Sequence, residues 1–328
     1  MKLLIVLRHP FELWNAPPWL SVRLHEAFPT VEAVQLSSYD GIEDYLRDAE
    51  VAITWSLRPE QFKVAGKLRW IHSPAAAVHQ LMFPALVNSD VLLTNAREIH
   101  GPVVAEHVMA LIFAVAKCLP QAVRLQQKHL WGQGLMWHGR PRPRELAGAT
   151  LGVVGLGSIG RAVARHASNL DMRVIAVREH PEKERSHNVQ QVLPISQVEV
   201  LLSQSDYVVL AVPVTSKTRG LMEVSRLDKM KPDAWLINVG RGSLIDEAAL
   251  IDALREKKIG GAALDVFEEE PLSADSPLWE LENLLITPHT AGMTDKLWQR
   301  HYALISENLR RYLEGQPLLC LVDKKQGY

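Results

Sequence analysis

Cysteine is scarce in this chain of 328 residues: there are two, Cys118 and Cys320, far apart and in no CxxC pair. That excludes a disulfide scaffold and suits a reducing compartment. Charge of one sign is also missing. Thirty-six basic residues stand against 37 acidic ones, a formal net charge of −1, which excludes a strongly basic nucleic-acid binder and a polyacidic tail. The longest apolar run, residues 108–116, is too short to span a bilayer. The first, residues 3–7, is too short for a signal peptide and suits a buried strand. There is no G-x-x-x-x-G-K-S/T phosphate loop, no G-x-S-x-G serine turn and no internal repeat. His72, His79, His100, His107 and His138 show no zinc spacing with cysteine or carboxylate. The expectation is a cytoplasmic protein with no nucleic-acid, membrane or metal partner.

What is present is an alternation of short β-rich runs and helical patterns. A length of 328 residues suits two domains at about 150 residues each. Strands are expected at 3–7, 31–36, 51–55, 69–72 and 91–94, with helices near 20–27, 42–48 and 58–65. A helix is expected over 102–119, then an irregular arm or interface segment over 131–146 that carries Trp131 and Trp137. A second series follows, with strands at 151–155, 173–177, 207–211, 234–239, 262–265 and 284–287. In it a helix over 248–258 is capped by Asp246 and ended by Gly260. The last helix, 295–313, is placed to return to the first domain. The fold class is α/β: two doubly wound domains with parallel sheets and a cleft between them. One is a dinucleotide-binding domain over 100–290. The other is a smaller substrate domain, discontinuous over 1–99 and 291–328.

Gly155-Leu156-Gly157-Ser158-Ile159-Gly160 matches G-x-G-x-x-G. It follows an apolar strand and opens a helix with Ile159, Val163 and Leu170 on one face, the context a dinucleotide needs. In that context Gly155, Gly157 and Gly160, with Ser158 and Ile159 at the helix start, form a pyrophosphate cradle. The acidic residue that usually binds the ribose is replaced by Arg178, 23 residues after the first glycine. A guanidinium there suits a 2′-phosphate, with Lys183 and Arg185 adding charge nearby, so NADP(H) is preferred over NAD(H). The alternative leaves 178–185 a solvated loop and gives the ribose of NAD to Glu179.

Three residues follow successive strands of the second series: Arg241, Glu270 and His289. Open α/β sheets place their sites at such strand ends. An arginine grips a carboxylate, a histidine transfers a proton, and a carboxylate orients the histidine. Singly each has a bland alternative as a loop or surface residue; jointly they form a candidate catalytic set.

With these residues in hand the sequence resembles the D-isomer-specific 2-hydroxyacid dehydrogenases, of the glyoxylate/hydroxypyruvate reductase kind. The resemblance rests on Gly155 to Gly160, LAVPVTSKTRG at 210–220, NVGRGSLID at 238–246, ALDVFEEEP at 263–271 and TPHTAG at 287–292. It implies Arg241, Glu270 and His289 as the catalytic residues and Asp265 as the carboxamide-binding aspartate. Val212, Pro213 and Thr218 flank the adenine side, and Val239, Gly240 and Gly292 line the cofactor. The implied reaction reduces a small 2-oxo acid to a D-2-hydroxy acid, in a homodimer built on the 102–119 helix and the arm. The family's substrate loop usually reads G-A-G-V-D; here it is Ala75-Ala76-Ala77-Val78-His79. Ala76 and Ala77 can still offer backbone N–H groups to a substrate carboxylate, provided the loop needs no φ closed to alanine. His100, just ahead of the long helix, is a further candidate to approach the substrate. Two alternatives stay open. A formate dehydrogenase is disfavoured by Glu270, where that pattern carries glutamine. An NAD(P)H-sensing corepressor-like binding protein keeps the same three residues.

Overall fold

The computed structural model describes residues 1–183, 187–325 and 327. The chain divides into two compact units, Met1–His100 with Met293–Tyr328, and Gly101–Gly292.

The first unit is built on five parallel strands: β1 (Lys2–Val6), β2 (Glu32–Leu36), β3 (Val51–Thr54), β4 (Trp70–His72) and β5 (Leu92–Thr94). Their order is β2-β1-β3-β4-β5, the flavodoxin-type doubly wound arrangement. The near-continuous apolar runs of β1 and β3 follow from burial on both faces. One face packs Leu4, Val6, Ala52 and Ile71 against Ile42 and Leu46. The other packs Leu3, Ile5, Ile53 and Trp70 against Leu297, Trp298, Ile305 and Leu309 of the helix Leu297–Leu313.

Beyond that helix the chain runs along the outer edge of β5. Leu321 bridges Thr94 in antiparallel sense, and Val322 N donates to Leu93 O at 2.8 Å. The Lys324 ammonium donates to the carbonyls of Leu86, Ser89 and Val91 at 3.1, 2.5 and 2.9 Å.

The second unit holds seven parallel strands: β6 (Thr150–Val154), β7 (Arg173–Arg178), β8 (Gln191–Pro194), β9 (Tyr207–Leu210), β10 (Trp235–Asn238), β11 (Gly261–Leu264) and β12 (Leu284–Ile286). Their order, β12-β11-β10-β9-β6-β7-β8, is the Rossmann arrangement with one added edge strand, and it reverses between β6 and β9. Ligands of such sheets bind at that switch point, beyond the carboxyl ends of the strands.

Three sequence expectations are corrected. Strand β8 was not foreseen: it is a half-buried edge strand that carries Gln191 and Pro194, so it shows neither alternation nor an apolar run. The expected helix 102–119 ends at Ala116. A second helix, Leu119–Gln127, starts after Cys118 at φ +53, because Pro120 cannot continue the first. The helix Glu247–Arg255 has the expected cap, with Asp246 accepting from Ala249 N at 3.1 Å. It stops earlier than expected, at Lys257 with φ +56, where Lys258 N donates to Ala253 O at 2.9 Å. Among the described residues no single helix is long and apolar enough to cross a membrane.

At the end of β4 in the first unit, burial alone pushes the pKa of His72 down to about 3. Its Nδ1 lies 2.8 Å from Thr94 Oγ1, which also accepts from Trp70 Nε1 at 2.8 Å. The unfolded histidine titrates near 6.5, so below that pH the unfolded chain takes up a proton that the folded chain refuses. Stability is therefore intact above pH 6.5 and falls by about 1.4 kcal/mol per pH unit toward pH 3 from this residue. Urea midpoints measured from pH 7 to 4 check this: His72→Gln should show the shallower decline, and an equal slope in both proteins would refute it.

Candidate active site

The turn after β6 is shaped by its glycines. Gly155 has φ +99, and a Cβ there would lie 2.6 Å from both Ala211 O and Val212 Cγ1, so only glycine fits. At Gly160 a Cβ would lie 1.9 Å from Gly155 O, which is how the helix Ser158–Ser168 closes onto the strand. Around Gly157, by contrast, a Cβ would meet nothing within 4 Å. Open space thus lies against the first turn of the helix that opens with Ser158 and Ile159, the end at which a helix presents backbone N–H groups outward. This cradle fits the pyrophosphate of a dinucleotide.

The rim of the same edge is formed by the ends of β7 and β9. Arg178 is the last residue of β7 and half-buried. Glu179, next to it, accepts from Lys217 Nζ at 2.6 Å, and the Lys217 hydrogen bond and charge lower the Glu179 pKa. Lys217 belongs to a turn after β9. In that turn Thr218 Oγ1 donates to Pro213 O at 2.7 Å and accepts from Thr215 N at 2.8 Å. Val212 lies against Gly155. Arg185 is outside the described residues.

Arg241, Glu270 and His289 follow β10, β11 and β12, and two of them are in direct contact. His289 Nδ1 donates to Glu270 Oε2 at 2.6 Å, and Glu270 Oε1 accepts from Phe267 N at 3.0 Å. Both carboxylate oxygens are engaged, so the imidazole orientation is fixed. With Nδ1–H committed to Glu270, Nε2 is the ring atom left to exchange a proton, and half of the His289 side chain is exposed. Arg241 is exposed, and its Nη1 donates to Gly240 O at 2.6 Å. Crowding by protein pulls its pKa down and the Glu270 carboxylate pushes it back up. Arginine stays charged throughout. The buried Asn238 clips this turn: its Nδ2 donates to Arg241 O at 2.9 Å and its Oδ1 accepts from Gly240 N at 3.0 Å. Val239 is buried beside it. A Cβ on Gly242 would lie 1.9 Å from the Phe267 carbonyl carbon, so the loops bearing Arg241 and Glu270 touch backbone to backbone.

Asp265, 1% exposed, holds the loop that carries His289. Its Oδ1 accepts from Thr287 Oγ1 at 2.6 Å and Thr290 N at 2.8 Å, and its Oδ2 from Ala291 N at 3.0 Å. Gly292 follows directly. His289 itself has φ +53, a left-handed conformation rare outside glycine, and its N–H donates to Asp265 O at 2.9 Å. His107 joins this network, which sequence reading missed. Its Nε2 lies 3.1 Å from Thr287 Oγ1 and 3.5 Å from Asp265 Oδ1. Burial lowers the His107 pKa against the pull of Asp265. The available signal was a histidine within the largely apolar run of the helix Gly101–Ala116.

In the first unit the loop after β4 puts no residue of 75–77 at positive φ, so alanine in place of glycine carries no backbone strain there. Ala75 O accepts from Ala96 N at 3.0 Å, and Ala76 O from Asn95 Nδ2 at 2.7 Å. Among the described residues the N–H groups of Ala76 and Ala77 donate to no other group. The His100 ring lies 6.2 Å from that of the fully buried His301.

Comparison with known proteins agrees with this architecture. Residues 109–291 match the model of the D-isomer specific 2-hydroxyacid dehydrogenase NAD binding domain. A glyoxylate reductase of Thermofilum pendens is 34% identical over 83% of this chain and 80% of its own. A D-isomer specific 2-hydroxyacid dehydrogenase of Xanthobacter autotrophicus, solved with NADPH and MES, superposes with a TM-score of 0.85 at 30% identity, covering 99% of each chain. An NADPH-dependent glyoxylate/hydroxypyruvate reductase of Sinorhizobium meliloti, solved with NADP and sulfate, gives 0.82 at 26% identity over 100% of this chain and 99% of that one. The chain belongs to the D-isomer-specific 2-hydroxyacid dehydrogenase family. It is accordingly an NAD(P)-dependent oxidoreductase of small hydroxy and oxo acids.

Removing the Asp265 carboxylate leaves Thr290 N and Ala291 N without their acceptor. Asp265→Ala should therefore cost about 3 kcal/mol of stability, the worth of one or two hydrogen bonds to a buried charge. Urea unfolding of the two proteins measures it, and a loss below about 0.5 kcal/mol, the usual surface scale, would show that the loop is held by other means.

Proposed function

We propose that this enzyme reduces a small 2-oxo acid reversibly to a D-2-hydroxy acid, with NADP(H) preferred over NAD(H) and glyoxylate and hydroxypyruvate as the first substrates to test. The observation that carries the reading is the 2.6 Å hydrogen bond from His289 Nδ1 to Glu270, with the other Glu270 oxygen anchored by Phe267 N. A carboxylate hydrogen-bonded to one ring nitrogen fixes the ring and leaves the other nitrogen to protonate a carbonyl oxygen. A bound nicotinamide supplies the hydride. Arg241 grips the substrate carboxylate and polarises the carbonyl. His289 delivers the proton from Nε2, and in the reverse direction receives it. Glu270 holds the ring, and Asp265 and Asn238 position the loops.

The NADP(H) preference is supported by Arg178 at the end of β7 and by Glu179, whose carboxylate is engaged by Lys217 rather than turned out alone. The two similar solved structures carry NADPH and NADP. A homodimer is supported by the arm. There Leu135 and Trp137 are exposed and Trp131 is 95% exposed, and just ahead of it Leu119, Val123 and Leu130 are exposed as well, an apolar surface of the kind that marks an interface.

Steady-state assays of glyoxylate and hydroxypyruvate with NADPH and NADH test the activity, and a protein that binds NADPH without turnover on any 2-oxo acid would instead be a sensor. His289→Asn should lower kcat by about 10²- to 10⁴-fold, the usual contribution of a general acid, with NADPH affinity unchanged. Rates within twofold of the wild type would remove His289 from the mechanism. Trp131→Ser should weaken the dimer, so sedimentation at low micromolar concentration should show more monomer than the wild type does.

A further inference from the structure

The turn after β9 presents a lysine to the same strand ends that bear Arg178. Its backbone is fixed by its own side chains: Thr215 N donates to Thr218 Oγ1 at 2.8 Å, Lys217 N to Thr215 Oγ1 at 3.2 Å, and Arg219 N to Thr215 O at 3.0 Å. From this fixed base Lys217 Nζ reaches across to Glu179 Oε1, 2.6 Å away and 38 residues earlier in the chain. Glu179 is the immediate neighbour of Arg178. The lysine ammonium therefore stands in the short stretch of rim where the ribose of a dinucleotide bound on the glycine turn would lie.

The pair is not scaffolding. The Lys217 side chain is 69% exposed and that of Glu179 is 44% exposed, and ion pairs in such positions add little to stability. Such a contact is readily exchanged for a stronger one. A phosphate monoester carries about −1.5 to −2 charges at neutral pH and three acceptor oxygens, against one charge on the carboxylate. Glutamate and phosphate are alternative partners for the same ammonium.

We propose that Lys217 is a determinant of cofactor specificity, a second cationic arm beside Arg178 for the 2′-phosphate of NADP(H), with Glu179 as the anion the phosphate displaces. With NADH there is no phosphate to displace it, and Lys217 stays on Glu179. The inference rests on the NADP(H) preference proposed above and adds the residue that sequence position alone does not offer. It also assigns Glu179 a role opposite to a ribose ligand: it competes with the phosphate for Lys217.

Calorimetric titration of the full-length protein with NADPH and with NADH, without substrate, tests this through affinity rather than turnover. Lys217→Gln should weaken NADPH binding about tenfold, the scale of one charge-assisted hydrogen bond, and leave NADH within twofold. Lys217→Arg should keep most of the preference, and Glu179→Gln should tighten NADPH by removing the competing anion. Equal weakening of both cofactors by Lys217→Gln would show a merely structural lysine and overturn the inference. So would a wild-type preference abolished by Arg178→Gln and untouched by Lys217→Gln, although the NADP(H) reading would then stand. A wild type that binds both cofactors equally would overturn both.

Discussion

A single buried carboxylate governs the geometry of this site. Asp265 sits at the end of β11 and is closed off from solvent, so its charge must be balanced by donors. Its hydrogen-bond donors come from the loop after β12, the Thr287 hydroxyl and the amides of Thr290 and Ala291, with His107 of the helix Gly101–Ala116 3.5 Å from the same carboxylate. The demand for donors and the shape of the loop are the same fact. Residues 287–291 wrap around Asp265, and His289, in the middle, is driven into a left-handed backbone conformation that presents its side chain to Glu270. Strain of that kind persists only where the surroundings over-determine it, and here three hydrogen bonds on neighbouring residues do so.

The other two loops obey a related constraint. Asn238 spends its amide on the turn it begins, which sets the direction in which Arg241 leaves the sheet. Gly242 lets that turn lie directly on the backbone at Phe267, the residue whose amide anchors Glu270. Arginine, glutamate and histidine are thus carried on three loops tied together by backbone contacts and buried polar side chains, not by long surface side chains. Rigid support of this kind is what proton transfer over a short distance needs.

Much of this was legible in the sequence because it is dictated locally. The glycines at 155 and 160 announce themselves, since no other residue fits a positive φ or so close a helix–strand contact. The positions of Arg241, Glu270 and His289 follow from counting apolar strands. What stayed hidden depends on partners remote in sequence. His107 reads as one polar residue in an apolar helix until Thr287, 180 residues later, is beside it. Glu179 reads as a free ribose ligand until Lys217 is seen to occupy it. Strand β8 gives no pattern because only one side of it is paired, and the break after Ala116 depends on a proline that a hydrophobicity pattern ignores.

The segment that runs along β5 has a consequence for how the protein is made. The five-stranded sheet takes one of its helices from residues 297–313 and the cover of its outer strand from residues 321–324, whereas the seven-stranded sheet is drawn entirely from one uninterrupted stretch. On the ribosome the chain emerges from its N-terminus. The five strands therefore remain unfinished, with one face covered only by the helix Trp19–Ala27 and the rim of β5 unpaired, until residues 297–324 have been synthesised. Exposed strand rims of that kind invite pairing with other chains. The nascent chain is thus vulnerable along these strands until the helix Leu297–Leu313 and the segment that ends in Lys324 are in place.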